Sequence, residues 1–279
     1  MAILLDGKAL AEKVKERVRL AVLELSRTPK LAVILVGENP ASQVYVAGKE
    51  RDCAACGISS ETFRLPERTS QAELLDLVDR LNRDGEVDGI LCQLPLPEHL
   101  SADPVLRAID PSKDADCFHP YHVGLLYTGS PAFLPCTPAG IVEILREYKI
   151  PVAGKRCVVL GRSNIVGKPT AALLSAMDGT VTLCHSRSKN LASIAREADV
   201  LVSAVGKCGF LTADMVKEGA AVIDVAMNRN SYGKLCGDAD FPAVSAKAGW
   251  ITPVPGGVGP MTRAMLMENV LAAARNRGA

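Results

Sequence analysis

Apolar and polar positions along the chain fall into two alternating textures: short β-branched apolar runs and longer stretches with helical spacing. That alternation predicts βαβ units and a largely parallel sheet, an α/β fold. In the first half, Leu31–Gly37 (Leu-Ala-Val-Ile-Leu-Val-Gly) reads as a buried strand. The segment from Ser42 to Cys56 reads as a helix, with Gly57 as its C′ stop. Gln71–Asn82 carries Leu74, Leu75, Leu77, Val78 and Leu81, the apolar stripe of a second helix. Val87–Gln93 is a second strand, ended by Pro95 and Pro97, and the opening stretch from Gly7 to Leu25 is a further amphipathic helix. From Asp103 to Pro138 the chain is rich in Pro, Gly and Ser, and Tyr127–Pro138 has the composition of a domain boundary. A connecting helix follows at Ile141–Tyr148. Beyond it, strands are expected at Arg156–Leu160, Thr180–Cys184, Val200–Ala204 and Ala221–Val225, with helices from Pro169 and over Leu191–Arg196. This spacing suits a doubly wound nucleotide-binding domain. A final helix, Arg263–Arg275, is expected to pack back on the first domain.

A length of 279 residues agrees with two domains. Lys plus Arg is 32 and Asp plus Glu 31, so the net charge of +1 gives no support to a general nucleic-acid binder. Aromatic residues at 4% argue against base-stacking platforms. No apolar run approaches the roughly 20 residues needed to cross a bilayer, and the start of the chain lacks the basic region of a signal peptide. Nine scattered cysteines, an odd number, point to reduced thiols in the cytoplasm rather than a disulfide framework.

Six segments carry candidate chemistry. Gly161 directly after a strand and Gly167 at a helix start would let phosphates approach the backbone, although the spacing is not the usual G-x-G-x-x-G and an ordinary βα turn is the alternative. At the end of the next strand, where an NAD enzyme usually places an acid, the chain reads Cys184-His-Ser186-Arg187-Ser188. Ser186 with Arg162 or Arg187 favours NADP over NAD, unless these are only solvated loop residues. Tyr45 and Lys49 stand four apart on a predicted helix and so share a face, which suits either proton transfer or plain solvent exposure. Gln93 ends a strand just before two prolines, either as a ligand contact or as a strand cap. Asp114, Asp116, His119 and His122 lie close together, but a metal site needs a further well-placed ligand that no neighbour supplies. A carboxylate reading the amino group of a heterocycle fits that segment better. Pro253-Val-Pro255-Gly256-Gly257-Val-Gly259 permits close backbone approach to a ligand, or is a mobile loop. The lone Cys53-Ala-Ala-Cys56 reads as two partly buried helix positions.

In their joint order these segments resemble the bifunctional methylenetetrahydrofolate dehydrogenase/methenyltetrahydrofolate cyclohydrolase family over nearly the whole chain. The resemblance rests on Val36–Ser42 with Tyr45, Lys49, Cys53 and Gly57-Ile58. Gln93–Pro97, Lys113–Asp116, Cys136-Thr137-Pro138, Gly161–Pro169 and Pro253–Thr262 complete it. It implies an N-terminal α/β catalytic domain over 1–138, with helix 263–279 packing back on it, a Rossmann-type NADP-binding domain over 139–262, and a cleft between them. It implies NADP-dependent oxidation of 5,10-methylenetetrahydrofolate, then hydrolysis of the methenyl product to 10-formyltetrahydrofolate, by a cytoplasmic homodimer that uses no metal. It further implies that Lys49 handles the proton in hydrolysis, with Gln93 as its partner. Tyr45 orients and stacks on the folate, and Asp116 holds the pterin amino edge. Gly161, Arg162, Ser163, Ser186, Thr137 and Gly257 would contact the cofactor, and Pro255, Gly256 and Gly259 the folate. One departure is Cys117, where the family usually has glycine; a side chain there is expected to narrow the folate pocket.

Overall fold

The computed structural model describes residues 2–279. Its strands are β1 (Ile3–Leu4), β2 (Lys30–Val36), β3 (Ser59–Leu65), β4 (Gly89–Cys92), β5 (Arg156–Leu160), β6 (Thr180–Cys184), β7 (Val200–Ser203), β8 (Ala221–Asp224), β9 (Asn228–Arg229), β10 (Leu235–Cys236) and β11 (Trp250–Ile251). Its helices are α1 (Gly7–Val22), α2 (Pro40–Cys56), α3 (Gln71–Arg83), α4 (Ala102–Ala108), α5 (Pro120–Thr128), α6 (Cys136–Glu147), α7 (Gly167–Ala176), α8 (Leu191–Arg196), α9 (Phe241–Lys247) and α10 (Val258–Asn276). Two compact units result. One joins Glu12–Cys136 to Arg263–Ala279, and the other joins Thr137–Thr262 to the stretch ending at Ala11.

The first unit is built on a three-stranded parallel sheet in the order β3-β2-β4. Leu31 to Val36 are all buried, as expected for a central parallel strand covered on both faces. Ala32, Ile34 and Val36 pack with Leu74, Leu77, Val78 and Leu81, the stripe on α3. The start of that helix is set by a capping box between Ser70 and Glu73. β3 is absent from the sequence-based reading because Ser-Ser-Glu-Thr-Phe-Arg-Leu is an edge strand with little buried surface, held by seven residue pairs to β2. The Pro/Gly/Ser-rich zone holds α4 and α5, which apolar periodicity does not announce. α5 is instead defined by its ends: His119 Nδ1 accepts from the Tyr121 amide, Pro120 opens the helix, and Gly129 closes it in the left-handed region.

The second unit holds a six-stranded, all-parallel sheet in the order β1-β11-β8-β7-β5-β6. The chain runs from β5 to β6 on one side and returns to β7 on the other, so the order reverses at β5. Ligands of open α/β sheets bind beyond the carboxyl ends of strands at such a point. The core includes Val158, Leu160, Leu201, Val222 and Ile251. The sequence reading keeps the opening residues with the first domain, whereas Ile3 and Leu4 pair with Trp250 and Ile251 at the edge of this second sheet. Strands of two residues are too short for periodicity to reveal. Among the described residues, no helix is long and apolar enough to cross a membrane.

Candidate functional site

Helix α2 carries Tyr45 and Lys49 of the first unit's site. Asn39 caps it by accepting from the amides of Ala41 and Ser42, Pro40 opens it, and Gly57 ends it at φ 72°. Lys49 therefore lies one turn after Tyr45. Lys49 Nζ donates to Gln93 Oε1 at 3.0 Å. Gln93 follows β4, and its own Nε2 donates to the Leu94 carbonyl at 2.6 Å, which fixes the amide with its oxygen toward the amine. Tyr45 is pushed above the ordinary phenol range by burial, an effect opposed by the charge of Arg263.

Arg263 and Asp52 belong to the same constellation, and the sequence reading passes over both. Asp52 is buried and accepts from Arg263 Nε at 2.6 Å and from Lys15 Nζ at 3.0 Å. The guanidinium of Arg263 lies against Gly48, where a Cβ would stand 3.3 Å from Nη1. Glycine there lets an arginine more than two hundred residues away lie against α2 and reach Asp52. No local signal marks such a pairing.

Asp116 comes from a different segment. Its carboxyl is pushed up to about 6 by desolvation, with the charge of Lys49 opposing and Asp114 reinforcing the rise. The turn that presents it is held on both sides. Before it, Lys113 is fully buried and donates to the carbonyls of Leu81, Asn82 and Asp84 at 2.6–2.9 Å, capping the end of α3. Beside it, the Asp114 carboxylate accepts from the amides of Cys117 and His119. His119 caps α5 and His122 Nε2 bonds the Pro111 carbonyl, so both imidazoles have structural partners. Cys117 adopts φ 62°, a region favouring glycine, and is buried with Phe133 and Ala273. Its bulk goes into that packing cluster. Cys53 and Cys56 are wholly buried, and burial pushes their thiols up to about 12 and about 11.

In the second unit, Gly161, Arg162, Ser163 and Ser186 line one pocket of about 570 Å³ at the carboxyl ends of β5 and β6. Gly161 has φ 108°, and a Cβ on it would lie 2.3 Å from the Ala204 carbonyl oxygen. A Cβ on Gly167 would lie 2.0 Å from the Gly161 oxygen, so the turn closes on itself only with glycine at both positions. Ser163 Oγ accepts from the Val166 and Gly167 amides and shapes the entry to α7. No carboxylate lines this pocket, whereas Arg162 and Lys207 do. The sequence reading omits Lys207, and Arg187 is not part of the lining. Such a lining suits an anionic ligand carrying an additional phosphate.

The loop that contributes Val205 and Lys207 to the lining is held in place by a buried carboxylate. Asp238 accepts from the amides of Val205, Gly206 and Lys207, from Ser203 Oγ and from Asn228 Nδ2, at 2.7–3.3 Å. Asp224 in turn accepts from the amides of Ala226, Asp238 and Ala239, and burial pushes its carboxyl up to about 6. The Gly-rich loop lies elsewhere in this unit and is packed in place. A Cβ on Gly257 would meet the Pro253 oxygen at 2.6 Å, Gly256 has φ 110°, and the Gly256 carbonyl accepts from the Lys8 amide at 2.8 Å. Pro255 is exposed and Gly259 faces Met227. Thr137 and Thr262 share a hydroxyl hydrogen bond at 3.0 Å, at the start of α6 and within α10.

Two family models match. Residues 5–116 fit the catalytic domain of tetrahydrofolate dehydrogenase/cyclohydrolase, and residues 135–278 fit its NAD(P)-binding domain. The bifunctional protein FolD of Streptococcus pneumoniae serotype 2 is 56% identical over 278 residues, covering 98% of each chain. The crystal structure of the bifunctional FolD methylenetetrahydrofolate dehydrogenase/cyclohydrolase from Campylobacter jejuni superposes with a TM-score of 0.97 at 49% identity, covering 99% of this chain and 100% of that one. The Trypanosoma brucei enzyme, solved with NADP cofactor and inhibitor, gives 0.94 at 39% identity over 99% of this chain and 98% of its own. The chain belongs to the tetrahydrofolate dehydrogenase/cyclohydrolase family.

Proposed function

We infer that the chain performs both reactions of its family and that the Lys49 constellation is the hydrolytic one. It is an NADP-dependent enzyme that oxidises 5,10-methylenetetrahydrofolate to the 5,10-methenyl form and hydrolyses that to 10-formyltetrahydrofolate. The pocket bounded by Gly161 and Ser163, with two cations and no carboxylate, fits NADP. Bound there, the cofactor supplies a hydride acceptor. In our reading Arg162, Ser163 and Ser186 hold its phosphates, Thr137 and Gly257 contact it, and Pro255, Gly256 and Gly259 contact the folate. Asp116 accepts from the pterin amino group, and Tyr45 orients the ring system. Oxidation requires mainly positioning, because hydride transfer needs little acid–base assistance. Hydrolysis requires a proton acceptor for the attacking water, and Lys49, aimed by Gln93, is the amine for that task.

The observation that carries this reading is the 3.0 Å bond from Lys49 to Gln93, because it directs an amine with an orientation that solvent exposure would not impose. The test is Lys49→Met, assayed for the two activities separately. Hydrolysis of supplied methenyltetrahydrofolate should fall by about a hundredfold or more, the scale of general acid–base catalysis, while NADPH formation stays within about tenfold. Equal retention of both activities removes Lys49 from the mechanism. The reading extends to a cytoplasmic homodimer, and light scattering of the purified protein checks the dimer.

A further inference from the structure

Two thiols stand apart from the rest. Seven of the nine cysteines are buried, whereas Cys208 is exposed and Cys236 is half-buried. Their sulfurs are 2.9 Å apart. Cys208 lies in the loop after β7, whose Val205, Lys207 and Phe210 line the cofactor pocket, and Cys236 ends β10. The two segments are already tied together, through the Asp238 carboxylate to the loop amides and through paired backbone bonds between Leu211 and residues 238 and 240. A disulfide is about 2.0 Å long, so closure needs a contraction of roughly 0.9 Å.

We propose that Cys208 and Cys236 form a reversible dithiol/disulfide site at the rim of the cofactor pocket, oxidised by low-molecular-weight disulfides. Cys208, the exposed member, attacks one sulfur of the small disulfide as a thiolate, forms a mixed disulfide and releases one thiol. Cys236 then loses its proton and attacks the Cys208 sulfur, closing the internal bridge and releasing the second thiol. Two protein thiols are oxidised and one small disulfide is reduced to two thiols. The bridge fastens the pocket wall at Val205–Phe210 to the β9–β10 hairpin, closing a loop that stiffens the cofactor unit. This site goes beyond the proposed function and stands without it.

The experiment incubates the folded full-length protein with glutathione disulfide, alkylates the remaining thiols and maps the peptides. Expected are a Cys208–Cys236 bridge with the other seven cysteines still reduced, slower amide exchange over Val205–Phe210, and a melting midpoint higher by about 5 °C. Dithiothreitol should reverse all three. Cys236→Ser should stop at a glutathione adduct on Cys208, and Cys208→Ser should show neither adduct nor shift. Persistence of both thiols, a stable glutathione adduct on Cys208 in the unmutated protein, or bridges only between chains overturns the proposal.

Discussion

The two units build their sites from different materials. In the first, side chains meet from distant parts of the chain: Lys49 and Tyr45 from α2, Gln93 from the end of β4, Asp116 from a turn, with Arg263 arriving from α10 to pair with Asp52. In the second, the pocket is shaped largely by backbone. Gly161 and Gly167 close a turn that no Cβ would permit, and Asp238 gathers consecutive amides into a wall. Chemistry that moves protons needs aimed functional groups, whereas binding phosphates needs amides, space and a few cations.

The contrast predicts opposite sensitivities. The largest effect should come from Gly167→Ala, which forces a methyl group to 2.0 Å from a carbonyl oxygen. A loss of about 3 kcal/mol in unfolding free energy is expected, read by denaturant titration, with NADP+ binding weakened as well. Unchanged stability would mean that the turn adjusts and that backbone does not define this pocket.

Next, Asp238→Asn replaces a carboxylate that accepts five hydrogen bonds with an amide whose nitrogen faces donors. NADP+ affinity should fall on the order of tenfold, the cost of one or two buried bonds, by calorimetric titration. Hydrolysis of supplied methenyltetrahydrofolate should stay within about twofold, since it needs no cofactor. A parallel loss of both would show that the wall serves more than binding.

In the first unit, Asp116 should give folate binding a pH dependence. With its carboxyl raised to about 6, the acceptor is ionised at neutral pH and protonated below that value. Tetrahydrofolate affinity should fall about tenfold between pH 7 and pH 5 if only the ionised form binds. For stability the sign is reversed. The folded state binds a proton that the unfolded chain has released, so ionising Asp116 costs stability as pH rises from about 4 through about 6. Asp116→Asn should therefore melt higher at pH 7 while binding folate more weakly; affinity that stays flat across the range removes Asp116 from the pterin contact.

The smallest effect belongs to Cys117→Gly. Relief of a left-handed residue, worth about 1 kcal/mol, opposes the lost packing against Phe133 and Ala273 and the greater freedom of an unfolded glycine. Stability should change by no more than about 1 kcal/mol and folate affinity should not change. A clear gain in affinity would restore the expectation that this side chain narrows the pocket.

Much of the architecture was readable in one dimension. Local periodicity and stop signals carry β2, α3, β5, β6 and α8 to within a residue or two, because each depends on its own apolar pattern and caps. Tyr45 and Lys49 share a face by helical arithmetic alone, and the strand–glycine turn at Gly161 marks a pocket that Arg162, Ser163 and Ser186 also line. Other features depend on partners far along the chain. The edge strands β1 and β3, and the two-residue β11 between β1 and β8, owe their existence to hydrogen bonds with neighbouring strands. Arg263 over Gly48, Lys113 at the end of α3, and Asp238 beneath the Val205–Lys207 loop join groups about 30 to 215 positions apart. Burial raises the Asp116 carboxyl, and the approach of two sulfurs singles out Cys208 and Cys236. The sequence by itself determined the alternating elements, the glycine turns and the family, since these rest on short-range stereochemistry and motif order. Tertiary structure alone decided which charges are desolvated and which distant side chains meet, because both depend on distances that no local pattern encodes.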